Sequence, residues 1–235
     1  MDGTWNLWQS KLAEFSKWSL RRRSILEKLY AWYLLRQLLK DIPSEFNGAV
    51  LDVGCGSGTI LRAIAQGSLT TAIGVDPLLE TSLNPFLQKA RERNLSSLHP
   101  LLAVGERLPI RNESVCFCLV VEALDHVANS KCLLTEIHRV LANNGQLLVE
   151  QHIREDSRAS DMQHLRNYSE DSLVEELRES GFIVVKKRNL AEQLLKFPLS
   201  ALFNLGRKYY LRHSDKEFDT TDAFHGELVA LATKA

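Results

Sequence analysis

The chain has 235 residues, and its longest purely apolar run is Val115 to Val121. A bilayer span needs about 20 such residues, so no transmembrane helix is expected. The opening stretch MDGTWNLWQS has an acid at position 2 and no apolar block, so no secretory signal is expected either. Excess charge is also lacking, since 29 Lys+Arg balance 29 Asp+Glu. That balance removes whole-molecule attraction to nucleic acid or to an anionic bilayer. No nucleic-acid-binding module is appended, and no nucleic-acid partner is expected. Cysteine is scarce: Cys55, Cys116, Cys118 and Cys132, with no C-x-x-C pair. A disulfide scaffold is excluded, and small buried thiols in the reducing cytoplasm are the expectation. Cys116 and Cys118 would point both sulfurs to one face of a strand, which leaves zinc as the alternative. No residue is assigned as a metal ligand. Internal repeats and low-complexity tracts are absent. Hydrophobic residues at 45% and charged residues at 25% are ordinary for a globular chain.

What is present falls into two styles. Residues 1–47 read as helical throughout, an N-terminal extension or lid. Trp5, Trp8, Leu12 and Phe15 form one helical stripe, and a second helix is predicted from Leu20 to Lys40, ended by Pro43. All four tryptophans lie within the first 32 residues. From residue 48 to 235, short apolar runs alternate with amphipathic segments. Strands are predicted at Ala49–Val53, Thr71–Asp76, Leu98–Val104, Val115–Val121, Gly145–Glu150, Phe182–Arg188 and Phe224–Thr233. Helices are predicted at Thr59–Gln66, Glu80–Arg93, Lys131–Leu141 and Glu170–Ser180. This alternation indicates βαβ units and a mostly parallel α/β sheet with helices on both faces. Runs such as VCFCLVV show no polar alternation, as strands covered on both faces should.

An insertion of about 190–223 precedes the last strand. Residues 1–47 carry 8 bases and 5 acids, and 186–216 carry 8 bases and 2 acids. The remaining chain is correspondingly acidic. The appendages therefore read either as solvated faces or as a basic rim for an anionic substrate or membrane surface. Peripheral membrane contact would run through 196–212, KFPLSALFNLGRKYYLR.

The most informative segment is AVLDVGCGSGTI, residues 49–60. An apolar strand ends at Asp52, and Gly54, Gly56 and Gly58 follow at two-residue spacing before a helix. Such glycines let the chain turn tightly and let a ligand approach the backbone. Thr59 stands where the dinucleotide fingerprint has its third glycine, which disfavours a nicotinamide-dependent oxidoreductase. No Gly-Lys-Ser/Thr follows, so this is not a P-loop. The second strand ends in AIGVDP, which places the Asp76 carboxylate where it can accept the hydroxyls of a ribose.

These residues resemble the motifs of class I S-adenosylmethionine-dependent methyltransferases. VLDVGCGSG is similar to the first motif and GVDP to the second. GERLPIRNESVCFCLVVEALDHV (105–127), EIHRVLANNGQLLVE (136–150) and YSEDSLVEELRESGF (168–182) resemble later ones, in the same order. The resemblance implies a Rossmann-like, seven-stranded sheet of order 3-2-1-4-5-7-6 with strand 7 antiparallel. It implies S-adenosylmethionine as cofactor, with Asp52 and the backbone of Gly54, Cys55, Gly56 and Gly58 at the methionine moiety. Asp76 would hold the ribose, and Pro77 or Leu78 the adenine. Gly105 and Glu106 would supply main-chain contacts at the adenine edge. Val121 and Glu122 would line the path to the acceptor. Where this subgroup has an adenine-capping aspartate, this chain has Val104, a departure that Glu106 or a water would make good.

The chemistry then demands an acceptor held in line with the sulfonium methyl and shielded from water. A general base is needed where the acceptor atom carries a proton. His126, after the fourth strand, and His152, past the fifth, are the candidates, because both strand ends face the ligand crevice of an open sheet. O-methylation with His152 or His126 as base is the expectation. The site that reads Asn/Asp-Pro-Pro-Tyr/Phe in nucleobase amino methylases reads VEAL here. A small-molecule or lipid-like acceptor, carrying an acid group, fits better. A non-catalytic S-adenosylmethionine-binding scaffold of the same fold is the alternative.

Overall fold

The computed structural model describes residues 25–67, 70–77, 96–154, 165–190 and 224–235. The aromatic stripe of residues 5–15, the helix predicted at 80–93, Leu78, and nearly all of the insertion with its segment 196–212 lie outside the described residues. Within them, the chain runs α1 (Ile25–Leu38), β1 (Ala49–Val53), α2 (Thr59–Gly67), β2 (Ala72–Val75), β3 (Leu98–Leu101) and β4 (Val115–Val121). It continues through α3 (Ser130–Val140), β5 (Leu141–Arg154), α4 (Glu170–Glu179), β6 (Phe182–Asn189) and β7 (Phe224–Lys234). No described helix is long and apolar enough to cross a membrane.

The seven strands lie in the order β3-β2-β1-β4-β5-β7-β6, with β7 antiparallel to both neighbours. This is the Rossmann-like sheet that the resemblance implies. Strand β5 begins at Leu141 and reaches Arg154, extending the predicted strand at its near end, where Leu141 pairs with Val115 of β4, and at its far end, which pairs with β7. Strand β3 is shorter than predicted and stops at Leu101. The run after it, Leu102 to Val104, leaves the ladder.

Strand alternation divides the core in two. Leu51, Val53, Cys118, Val120, Leu147 and Val149 face α3 and α4, which contribute Leu133, Leu134, Ile137, Leu173 and Leu177. Val50, Phe117, Leu119, Leu148 and Val229 face α1 and α2, which contribute Leu38, Leu61 and Ile64. The shared face of Cys116 and Cys118, and with it the zinc alternative, fails here. A register shift between Val115 and Phe117 puts Cys116 against the second cluster, while Cys118 sits in the first. The two sulfurs therefore face opposite sides of the sheet and cannot share a zinc ion. All four cysteines are free thiols.

Capping fixes both helices of the first layer. The Asn129 side chain accepts from the Cys132 N–H at 3.0 Å, and Ser169 and Ser172 form a capping box on α4. Helix α1 is held to the opposite layer by charge. Asp41, just past its end, receives Lys186 Nζ at 2.8 Å and Arg188 Nε at 2.6 Å. Lys187 pairs with Glu170 at 2.5 Å. Three bases that the sequence offers to an anionic rim thus have partners within the fold.

Candidate functional site

The first half of the site is the bend after β1. The N–H groups of Gly54 and Cys55 both reach the Val75 carbonyl, at 2.8 and 3.2 Å, and Gly58 N–H reaches the Cys55 carbonyl at 2.8 Å. These bonds fold the loop over the end of β2. Gly54 has φ +79°, and a Cβ there would lie 2.5 Å from the Ala123 methyl. Only glycine fits. Gly56 has φ +49°, and a Cβ there would meet nothing within 4 Å. Its outer side is open, which leaves room for a ligand. Thr59 then begins α2, whose Arg62 reaches back to the Ser57 carbonyl and, at 3.2 Å, to the Thr59 hydroxyl.

Asp76 stands against this bend, its Oδ2 accepting the Gly56 N–H at 2.8 Å. Asp52 is buried close by, and its carboxyl is pushed up to about 7 by burial and by the Asp76 charge. Two acids beside an open glycine loop favour a cationic, hydroxyl-bearing ligand. The Cys55 side chain turns away, into the layer of Leu61, and burial raises its thiol. Cys55 can therefore serve a ligand through its backbone alone. Pro77 follows, half-buried.

Gly105 has a packing reason for being glycine, since a Cβ there would lie 2.5 Å from the Leu133 side chain and 2.9 Å from Val53. The Glu106 side chain points to the start of α3. Its Oε1 accepts the N–H of Ala128 at 2.9 Å and of Asn129 at 3.3 Å. It steadies the 122–129 loop. Arg166 clamps the same loop, donating to the carbonyls of Leu124, Val127 and Ala128 at 2.9–3.0 Å.

The second half of the site lies at the ends of β4, β5 and β7. Glu150 and His152 are two apart on β5 and share the face that carries α1. Glu227 of β7 is the register partner of His152. Glu122, just past Val121 at the end of β4, has φ +50° and donates its N–H to the Glu150 carbonyl at 3.0 Å. Its carboxylate lies 3.1 Å from His152 Nε2, and Glu227 lies 3.8 Å from Nδ1. The ligand atoms of Glu122, Glu150 and His152 fall within 4.8 Å of one another.

Burial and the neighbouring acids Glu150, Asp125 and Glu227 raise Glu122 well above the usual carboxylate range. Glu150 is pushed up to about 8, chiefly by burial. The two face each other closely enough to share a proton. Glu122 keeps 29% of its side chain exposed, so the cluster opens on one side. Tyr33 of α1 packs near Glu227, which helps raise its phenol after burial, and its hydroxyl donates to the Leu190 carbonyl at 3.5 Å. His126 lies in the 122–129 loop, 3.9 Å from Asp125.

The structure therefore brings Asp52, Asp76 and the glycine bend together, and separately His152 and Glu122. Glu150, Glu227, Tyr33 and Arg166 are members that sequence reasoning missed. An acid within the apolar run LLVE is a usable signal for Glu150. Glu227 and Tyr33 come from distant segments that no local pattern joins.

Residues 51–149 match the protein family described as Methyltransferase domain. The chain is 34% identical over 124 residues to (S)-coclaurine N-methyltransferase of Thalictrum flavum subsp. glaucum, across 50% of this chain and 31% of that protein. It is 29% identical over 130 residues to malonyl-[acyl-carrier protein] O-methyltransferase of Hamiltonella defensa, across 55% of this chain and 46% of that one. The chain thus spans less than half the length of either relative. Among solved structures, phosphoethanolamine N-methyltransferase 2 of Haemonchus contortus, in complex with S-adenosyl-L-methionine, superposes with a TM-score of 0.68 at 17% identity. That likeness covers 86% of this chain and 52% of the other.

Proposed function

From the premise that the chain carries a class I S-adenosylmethionine-dependent methyltransferase domain, with S-adenosylmethionine as its cofactor, we propose methyl transfer to a small-molecule acceptor at oxygen, by in-line displacement. The observation that carries this reading is His152 held between two carboxylates, Glu122 at 3.1 Å and Glu227 at 3.8 Å.

The residues present fit the cofactor. The open side of Gly56 admits a ligand against the backbone, and Asp76 already touches that bend. Asp76 would accept the ribose hydroxyls, since a carboxylate bonded to one N–H has further acceptor capacity. Asp52 and the backbone of residues 54–58 would meet the methionine moiety. Pro77, Gly105 and Glu106 would border the adenine, with Val104 in place of the usual acid. Because Glu106 Oε1 is bonded to the 128–129 amides, any adenine contact from this side chain falls to Oε2. When bound, the cofactor supplies a methyl group made electrophilic by its sulfonium.

The chain's own residues orient the acceptor and take its proton. His152 is the base. Glu227, 3.8 Å from Nδ1, steadies the ring and the imidazolium that forms, while the acceptor hydroxyl takes the place of Glu122 at Nε2. His126, beside Asp125 in the flanking loop, is the second candidate. Helix α1, pinned through Asp41, covers the face on which the cluster sits and would exclude water. Four free thiols fit a reducing, cytoplasmic setting. The test is methyl transfer to a panel of small hydroxylated acceptors by the wild type, His152→Ala and His126→Ala. Loss of turnover in His152→Ala with S-adenosylhomocysteine binding intact supports the reading. Equal rates in all three proteins would remove a histidine base.

A further inference from the structure

We propose that the acceptor carries an ammonium group, clamped by Glu150 and Glu122 beside the atom that takes the methyl. The proposal rests on the reading above, in which the acceptor enters at the ends of β4 and β5.

Glu150 is 1% exposed, and no N–H or O–H of the described residues reaches its Oε1. The buried Oε1 of Glu122 is in the same position. A buried carboxylate oxygen without a donor is costly, and such groups normally meet a cation or a donor. Among the described residues, the base beside this pair is His152, 3.1 Å from Glu122 Oε2. Asp125 and Glu227 add charge of the same sign. Lys186 and Arg188 of β6 are bound to Asp41. Tyr33 faces Glu227 from α1.

The geometry suits an ammonium. Its three N–H donors reach acceptors at about 2.9 Å, which spaces those acceptors roughly 4.5–5 Å apart. Ligand oxygens of Glu122 and Glu150 lie within 4.8 Å of one another, close enough for both to accept from one ammonium. The partly exposed edge of Glu122 gives a polar head a way in. In the free protein a proton held between the two acids satisfies them, and the ammonium takes its place. The acceptor class is thus an amino-alcohol or a related hydroxylated amine rather than an acid. A divalent cation would use the same oxygens, and the experiment separates the two.

Protein saturated with S-adenosylhomocysteine is titrated calorimetrically with ethanolamine and phenethylamine, and with their neutral counterparts ethylene glycol and 2-phenylethanol. At least one amine should bind about tenfold more tightly than its counterpart, the loss expected when a charge-assisted hydrogen bond is removed. Glu150→Gln should abolish that preference while S-adenosylhomocysteine affinity is retained. Should Glu150→Gln fail to bind S-adenosylhomocysteine, Glu122→Gln is read in the same way. Absence of amine preference, a preference unchanged in the variants, or saturable Mn2+ or Zn2+ binding that displaces the amine overturns the proposal. His152-dependent methylation of neutral hydroxyls without amine preference would leave the oxygen-transfer reading standing and remove this one alone.

Discussion

Two pairs of acids lie on neighbouring strands of the sheet, and they differ in how the fold treats them. Asp52 and Asp76 sit at the ends of adjacent strands, and a backbone amide of the glycine bend already bonds Asp76. Glu122 and Glu150 sit at the ends of the next pair of strands, and the inner oxygens of both lack a donor among the described residues. Local backbone already bonds one member of the first pair; the second pair is left for something to complete. The difference suits a fixed cofactor at one end and a variable acceptor at the other.

The largest expected effect separates the two ends functionally. His152→Ala should lower turnover by about 10²–10⁴-fold, the usual contribution of a general base, and leave S-adenosylhomocysteine affinity untouched. Steady-state rates and calorimetry on the same preparation check both halves. A parallel loss of cofactor affinity would mean that the two ends are one cooperative unit.

The next effect is structural. In Gly54→Ala, the new methyl would lie 2.5 Å from Ala123 at φ +79°. Strain and overpacking of this kind cost about 1–3 kcal/mol. Chemical denaturation should show that loss, and cofactor affinity should fall with it. An equivalent small substitution on the exposed edge of the other end should do neither.

A smaller effect tests the raised acids. Asp52 moves from 3.8 to about 7 and Glu150 from 4.5 to about 8. The folded state then binds more protons than the unfolded state between those values. Stability of the free protein should therefore fall as pH rises from about 4 to about 8. Thermal melts across that window should show the decline, and Glu150→Gln should flatten its upper part. A rise in stability over the same window would contradict the assignment of both acids.

The two ends also differ in how far the sequence reveals them. The proposed cofactor end lies in one continuous stretch, 49–60, plus an acid one strand later. Its spacing encodes both the bend and the partner, so Gly54, Gly56 and Asp76 are legible in the residue pattern alone. The sheet order follows from the motif resemblance, because strand alternation alone fixes the βαβ style without the order. The proposed acceptor end is assembled from α1, β4, β5 and β7. His152 and Glu122 are visible as polar residues at strand ends. Glu227 joins them only through antiparallel pairing across 75 positions, from 152 to 227. The facing of Cys116 departs from simple alternation because a register shift, which nothing in VCFCLVV announces, turns one residue over. The role of Lys186 and Arg188 is hidden for a related reason, since their partner Asp41 is 145 positions away from Lys186.

The central claim is that the glycine bend and Asp76 together hold an adenosyl cofactor. Calorimetric titration of S-adenosylhomocysteine into the wild type and into Asp76→Ala tests it most directly. The account predicts saturable one-to-one binding by the wild type. It predicts a loss of about 10²-fold in the variant, as two hydrogen bonds to a charged group are removed. No heat with the wild type, or equal affinity in the two proteins, would contradict it.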